Sequence, residues 1–270
     1  MLNFVKGFLI ITCICSLSGF TFQYSLVENP AYRPVLLQTR VRTVVLDAGH
    51  GGKDPGCHGA NNNESKIALK IVLELGEKIK EQYPEVRVIY TRTKDVFVDL
   101  HERSAIANRN KADLFISVHC NAHHSAKFAG TETYTMGLHK TSSNLDVAKR
   151  ENSVILQEAN YEKNYNGFNP NSPLGHIMMA NYQSAFMMNS IKLAQKIEKQ
   201  FKQKSDRHSY GVKQAGFLVL WETAMPSVLV EAGFLTNKNE EQYLAKSSGQ
   251  GEVAEAIFKA FKSYKEEIED

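Results

Sequence analysis

The chain has 270 residues, of which 43% are hydrophobic and 23% charged, with 32 basic against 29 acidic side chains and a net charge of +3. This composition excludes a disordered tail, a collagen-like fibre and a polytopic membrane protein, and the near balance of charge offers nucleic acid no polycationic face. The length suits one generous catalytic domain or two small ones.

The chain opens with Lys6, an apolar stretch over residues 7–14 and small residues at Ser16, Ser18 and Gly19. That is the layout of a secretory signal, and it is short of the roughly 20 apolar residues a membrane span needs. Residues 1–22 are therefore read as a signal peptide and 23–39, polar and bearing Pro30 and Pro34, as a linker. The mature chain is expected to be exported to the periplasm or cell envelope with no membrane span. Cys13 and Cys15 fall in the signal, leaving Cys57 and Cys120; a disulfide and two buried thiols are both open readings.

From residue 40 the apolar period switches repeatedly. Residues 43–47 form a β-branched run, and Ile67, Ala68, Ile71, Val72, Leu75 and Ile79 recur at helical spacing. A strand at 86–90 precedes a helix over 100–110, opened by Asp99 with Glu102 as a capping box. Residues 114–119 and about 130–135 read as further strands. A long polar stretch then runs to about residue 180, followed by a helix over 182–203, a strand at 227–231 and a closing helix near 252–267. Strands alternating with helices predict a single α/β domain over 40–267, with a mostly parallel twisted sheet flanked by helices. It carries a helical insertion, about 137–181, after the fourth strand.

In parallel α/β sheets ligands gather beyond the carboxyl ends of the strands. Three strands end in chemistry there: one reaches His50, one His119 and one Glu231. Glu64, in the first turn of the helix after strand one, returns to the same rim. Two imidazoles and a carboxylate with one open position suit a catalytic zinc, which would depress the pKa of its water from about 15.7 to about 7. A carboxylate off the metal can then take the proton. His50, Glu64 and His119 are the candidate ligands of one zinc ion per chain, and Glu231 is the candidate base. Gly49, Gly51 and Gly52 let the backbone turn sharply around His50.

Five segments carry a family resemblance. They are Leu46-Asp47-Ala48-Gly49-His50-Gly51-Gly52-Lys53-Asp54-Pro55-Gly56, Glu64 at a helix start, Tyr90-Thr91-Arg92, residues 112–122 around Ser117-Val118-His119-Cys120-Asn121, and residues 226–237 around Val230-Glu231-Ala232-Gly233-Phe234. In consistent order over about 42–264, they closely resemble the zinc-dependent N-acetylmuramoyl-L-alanine amidases of cell-wall remodelling. Ala48 and Cys120 stand where many relatives have proline and alanine, and neither is a ligand. The resemblance implies zinc at His50, Glu64 and His119, catalysis by Glu231, and a peptidoglycan substrate cut between the lactyl group of N-acetylmuramic acid and L-alanine, during daughter-cell separation. A zinc peptidase acting on the stem peptide is an alternative, as is a non-catalytic wall- or activator-binding protein of the same fold.

Other residues have two readings each. Arg92 and Arg103 either face substrate or fix a loop, and Asn121, two residues past His119, either bonds substrate or orients a ligand. Trp221 either lines the cleft or packs in the core, while His123, His124 and the Cys57-His58 pair read as loop residues. In the insertion, residues 144–162 read as one helix whose apolar face, Val147, Val154 and Ile155, also takes in Glu151 and Glu158. A carboxylate facing inward needs a partner. Some relatives carry an insertion helix that covers the zinc and lends it a glutamate until an activator protein withdraws it. The resemblance therefore implies autoinhibition, with Glu151 favoured and Glu158 second, against an ordinary amphipathic helix whose acids face water.

Overall fold

The computed structural model describes residues 40–172, 175, 186–204 and 207–270. The signal, the linker, the end of the predicted insertion and the first residues of the predicted helix over 182–203 lie outside the described residues.

Six strands form one sheet in the order β2-β1-β3-β6-β4-β5. They are β1 (Thr43–Ala48), β2 (Arg87–Tyr90), β3 (Leu114–Asn121), β4 (Thr131–Met136), β5 (Ser209–Ala215) and β6 (Ser227–Phe234). Every pairing is parallel except β4 with β6, which is antiparallel. The predicted α/β domain with an insertion after the fourth strand is the observed architecture. β5 was not anticipated: Ser209-Tyr210-Gly211-Val212-Lys213-Gln214-Ala215 is a half-buried edge strand with few apolar residues and a glycine at φ +78°. Its pattern is that of a polar loop.

Alternation along the strands splits the core into two layers. Val44, Leu46, Ile116, Val118, Val228 and Val230 face one side. There α1 (Glu64–Gln82), α4 (Met187–Lys204) and α6 (Ser247–Glu269) cover the sheet. Val45, Phe115 and Leu229 face the other. That side is covered by α2 (Leu100–Arg109), by α3 of the insertion (Ser142–Asn152) and by a helical turn at Leu218–Trp221. The two-residue period therefore places Asp47, Ser117, His119 and Glu231 on the face under α2 and α3. Another helix, α5 (Lys238–Ala245), is capped by the Asn237 side chain. No helix among the described residues is long and apolar enough to cross a membrane.

Two expectations are corrected. The proposed capping box at α2 is absent: Asp99 makes no side-chain cap bond, and Glu102 pairs with Arg109 instead. The cap comes from the insertion, where Glu158 Oε1 accepts from the Leu100 amide at 2.7 Å and the Tyr165 hydroxyl accepts from the His101 amide at 2.9 Å. Nor is 144–162 one helix. α3 ends at Asn152, a 3₁₀ turn covers Ser153–Gln157, and Asn160 takes a left-handed conformation before a short turn at Tyr161–Asn164. The β-branched pair Val154-Ile155 disfavours continuation. Asn152 secures the break, its amide bonding the Gly216 carbonyl and accepting from the Leu218 amide.

Beneath the site, Asp47 is fully buried and accepts hydrogen bonds from Arg103 at 2.8 Å, Thr91 at 2.6 Å and Ser117 at 2.5 Å. Burial alone would raise its pKa, but the Arg103 charge and the two hydroxyls hold it below the ordinary 3.8. A depressed folded-state value means the stabilisation is complete above the unfolded carboxyl's range and is lost as pH falls through the folded value. Replacing Asp47 with Asn strands a buried guanidinium. We expect D47N to lose about 3–5 kcal/mol in urea unfolding at pH 7, a penalty that shrinks below about pH 4 as the wild type is protonated. A loss under 1 kcal/mol would show the pair to be dispensable.

Candidate active site

β1 delivers His50 into a sharp turn. His50 itself has φ +60°, a strained conformation costing on the order of 1–3 kcal/mol, held by two arginines. Arg103 donates to the carbonyls of Ala48, His50 and Val98, and Arg92 to those of Ala48, Gly49, Ser65 and Lys94. Both guanidinium groups are buried. Arg92 and Arg103 thus fix the loop carrying His50, their guanidinium groups engaged by backbone carbonyls and, for Arg103, by Asp47. Glycine is required at two positions: a Cβ on Gly49 would sit 2.4 Å from the His119 ring, and one on Gly56 2.6 Å from Glu64 Oε2.

Four buried side chains converge at this rim. His50 Nε2 lies 3.0 Å from Glu64 Oε1 and 3.1 Å from Glu151 Oε2, and His119 Nδ1 lies 3.0 and 3.1 Å from the same two oxygens. Donors around a tetrahedral zinc at about 2.0–2.1 Å are about 3.3 Å apart, so the set fits such an ion. His50 Nε2 and Glu151 Oε2 are buried without a hydrogen-bond partner, which shows the atoms aimed at a common centre. The outer bonds orient them. His50 Nδ1 meets Asp54 Oδ2 at 2.6 Å, while Glu64 accepts from the Cys57 amide at 2.8 Å and the Cys120 amide at 2.9 Å. Burial opposes charge on both imidazoles, yet Glu151 and Glu64 push His119 up to about 9 and raise His50 as well. Two carboxylates this close to two imidazoles demand positive charge, as protons or as a cation.

Glu151, the first residue suggested for autoinhibition, is therefore in the cluster, and Glu158 is not: its Oε2 accepts from the Tyr165 hydroxyl at 2.7 Å near α2. Glu231 faces His119 across the β3–β6 pairing. Burial and the Glu151 charge raise its carboxyl well above the ordinary range, Arg150 acting in the opposite direction. Its Oε2 has no partner, and its Oε1 lies 3.5 Å from Arg150 NH2. Arg150 also holds Glu151 at 2.9 Å and the Ala122 carbonyl at 3.2 Å. A cavity of only about 10 Å³ remains between His50, His119, Glu151 and Val219, too little for a substrate group.

Asn121 bonds Glu132 and its own neighbour Ala122. Glu132 is the antiparallel partner of Glu231 on β4, and it also receives the Tyr134 hydroxyl and Lys213. Cys57 and Cys120 are free thiols, Cys57 donating to the Cys120 carbonyl at 3.0 Å. Trp221 packs half-buried against the second core layer. His123 lies in a loop, as read, but is half-buried, its ring between those of Phe128 and His124 at centroid distances of 3.6 and 4.0 Å. Sequence reasoning passed over Asp54, Arg150, Glu132 and Lys213. Asp54 had a local signal in its four-residue step from His50; the others meet the site only through tertiary packing.

A model of the N-acetylmuramoyl-L-alanine amidase family matches residues 44–263. The chain belongs to this family. It is 32% identical over 228 residues to N-acetylmuramoyl-L-alanine amidase AmiA of Escherichia coli (strain K12), covering 83% of this chain and 76% of that protein. Among solved structures, an N-acetylmuramoyl-L-alanine amidase from Clostridium difficile 630 superposes with a TM-score of 0.63 at 26% identity, over 83% of this chain and 97% of the other. The catalytic domain of the amidase CwlV from Bacillus (Paenibacillus) polymyxa var. colistinus gives 0.58 at 29% identity, over 83% and 97%. The amidase is a hydrolase acting on peptidoglycan, which sets aside the peptidase and non-catalytic alternatives. The His50, Glu64, His119 and Glu151 cluster of this amidase could bind a metal ion.

Zinc titration of the metal-stripped amidase is expected to give one tight site per chain. Affinity should fall by at least about 100-fold in H50A and H119A and stay unchanged in E158A. Full affinity in both histidine variants would place the ion elsewhere.

Proposed function

We propose that this chain is an exported zinc amidase, synthesised with residues 1–22 as a signal peptide and 23–39 as a linker, that its own insertion holds shut. His50, Glu64 and His119 would hold the ion. The nitrogen and oxygen donors and their spacing support this assignment. When bound, zinc supplies Lewis acidity to the scissile carbonyl and to a water.

The protein's part is proton handling and positioning. Glu231 takes the water's proton on Oε2, the oxygen with no partner in the fold, and returns it to the departing amine of L-alanine. The products are a free lactyl carboxylate on the glycan and a stem peptide with a free amino terminus. Asp54 keeps the His50 ring turned toward the ion, while Arg92 and Arg103 keep its backbone over the rim. In the wall this reaction frees glycan strands during daughter-cell separation.

The observation that carries the blocked state is Glu151 Oε2 at 3.1 Å from both imidazoles, where the substrate carbonyl or water must go. The adjacent Arg150 engages Glu231, so one helical turn occupies ligand position and base together. Lys53 adds a bond to the Gln157 carbonyl, fastening the His50 loop to the insertion. Turnover then requires α3 to move, and a partner protein that binds the insertion would serve as activator.

Digestion of purified peptidoglycan tests both parts. Glu151→Ala should raise the basal rate at least tenfold, equivalent to about 1.4 kcal/mol in the shut–open equilibrium, with lactyl carboxylates among the products. Glu231→Gln in that background should lower it by about 10²–10⁴-fold. An unchanged rate in folded E151A removes the autoinhibition, and unaltered hydrolysis in the double variant removes the base.

A further inference from the structure

The insertion meets the scaffold at a second group of ionisable side chains, separate from the cluster at His50. Asp99 and His101 flank the first residue of α2, and Glu158 reaches them from the insertion. One donor atom from each of the three lies within 4.8 Å of the others. The Tyr165 hydroxyl braces the group, donating to Glu158 Oε2 at 2.7 Å and accepting from the His101 amide at 2.9 Å.

The bonding leaves room at the centre. Glu158 accepts the Leu100 amide on Oε1 and the Tyr165 hydroxyl on Oε2, while a carboxylate has about four acceptor positions. His101 Nδ1 lies 3.5 Å from Glu158 Oε2, yet it is buried without a hydrogen-bond partner. An orphaned imidazole nitrogen facing a carboxylate oxygen is also what marks His50 and Glu151 in the catalytic cluster.

Charge points the same way. Glu158 is only 6% exposed and Asp99 is half-buried, and among the described residues no lysine or arginine pairs with either. The start of α2 contributes roughly half a positive charge, too little to balance two carboxylates. Asp99 makes no capping bond, so its side chain is free to turn toward the other two.

We infer that Asp99, His101 and Glu158 form a second divalent-cation site, of the zinc class, that clamps the insertion to the start of α2. One imidazole with two carboxylates suits zinc, whereas magnesium and calcium take oxygen donors alone. The His101 side chain is 32% exposed, which gives the ion a path from solvent and leaves positions for water. Two ligands belong to the scaffold and one to the insertion, so the full set exists only while the insertion is docked. By linkage, occupancy then favours the docked form. The consequence for turnover rests on the shut state proposed above; the binding of the ion does not.

Calorimetric titration of the full chain with Zn²⁺, continued past the tight equivalent of the catalytic centre, tests the site. A second, weaker equivalent should bind, and excess Mg²⁺ should not displace it. Asp99→Asn, His101→Ala and Glu158→Gln should each weaken it at least about tenfold. The first equivalent, unchanged in these variants, reports that they are folded. Hydrogen exchange at the amides of 153–165 should slow by about 100-fold at a free ion concentration about 100 times the second Kd, in the wild type and not in His101→Ala. No second equivalent, one of equal strength in all four proteins, or one that leaves this exchange unchanged would each overturn the clamp. Full second-site binding and protection beside an unchanged basal rate in Glu151→Ala would instead remove the shut state and leave the clamp standing.

Discussion

Everything at the rim of this sheet follows from four buried ionisable groups, each of two imidazoles within hydrogen-bond range of both of two carboxylates. Moving even one charge out of water costs several kcal/mol unless it is compensated. Here two carboxylates, Glu64 and Glu151, share a pocket with two imidazoles, and the arrangement is tolerable only with protons on the histidines or a cation among them. Protein groups outside the cluster already occupy its outer positions, Asp54 on His50 and the Cys57 and Cys120 amides on Glu64. The inward-facing atoms have been left for something else. A pre-built site of this kind fixes where the chemistry happens before any substrate arrives.

The scaffold explains why such a cluster does not collapse. His50 sits in a strained left-handed conformation, and the strain is held by two buried arginines that make seven bonds to six carbonyls around it. Arg103 is itself neutralised by Asp47, one step lower on the same face of the sheet. Charge thus descends in alternating layers from cluster to loop to core, each layer compensating the one above. The sequence shows none of this pairing, since Asp47 is separated from Arg103 by more than fifty residues and a loop arginine has many conceivable partners.

What could be read in advance was what strand periodicity encodes. Asp47, His119 and Glu231 each lie an even number of residues from an apolar neighbour on the same face, so their common orientation was legible once the strands were placed. Glu64 was legible because it opens a helix that begins at the rim. The antiparallel run of β4, the polar edge strand β5 and the Glu132–Lys213 pair were not: β5 is an edge strand with little apolar pattern, and neither the direction of β4 nor a pair 81 residues apart in the chain leaves a local signal. Glu158 illustrates a different failure. Helical spacing put it on the face of Glu151, but the β-branched break after Asn152 redirected it to cap α2, where its carboxylate accepts from the Leu100 amide at the helix start.

The insertion's chemistry matches the site's by polarity as well as by shape. The centre offers a ligand position that calls for an anion beside a carboxylate that calls for a cation, and α3 presents Glu151 and Arg150 in consecutive positions. Either residue alone would leave one buried group unsatisfied, so the pair is self-compensating where it sits, and it would stay so if, as proposed, α3 moved into water, where the two remain neighbours. On the proposed autoinhibition, that symmetry would keep the shut state favourable without making release prohibitive. For such a proposed switch a few kcal/mol of preference would suffice: moving from 99% shut to 99% open takes about 5.5 kcal/mol, well within what binding of a partner protein can provide. A carboxylate alone in that place would set its charge against Glu231 with no cation between them, since Arg150 is what opposes the effect of Glu151 on the Glu231 carboxyl.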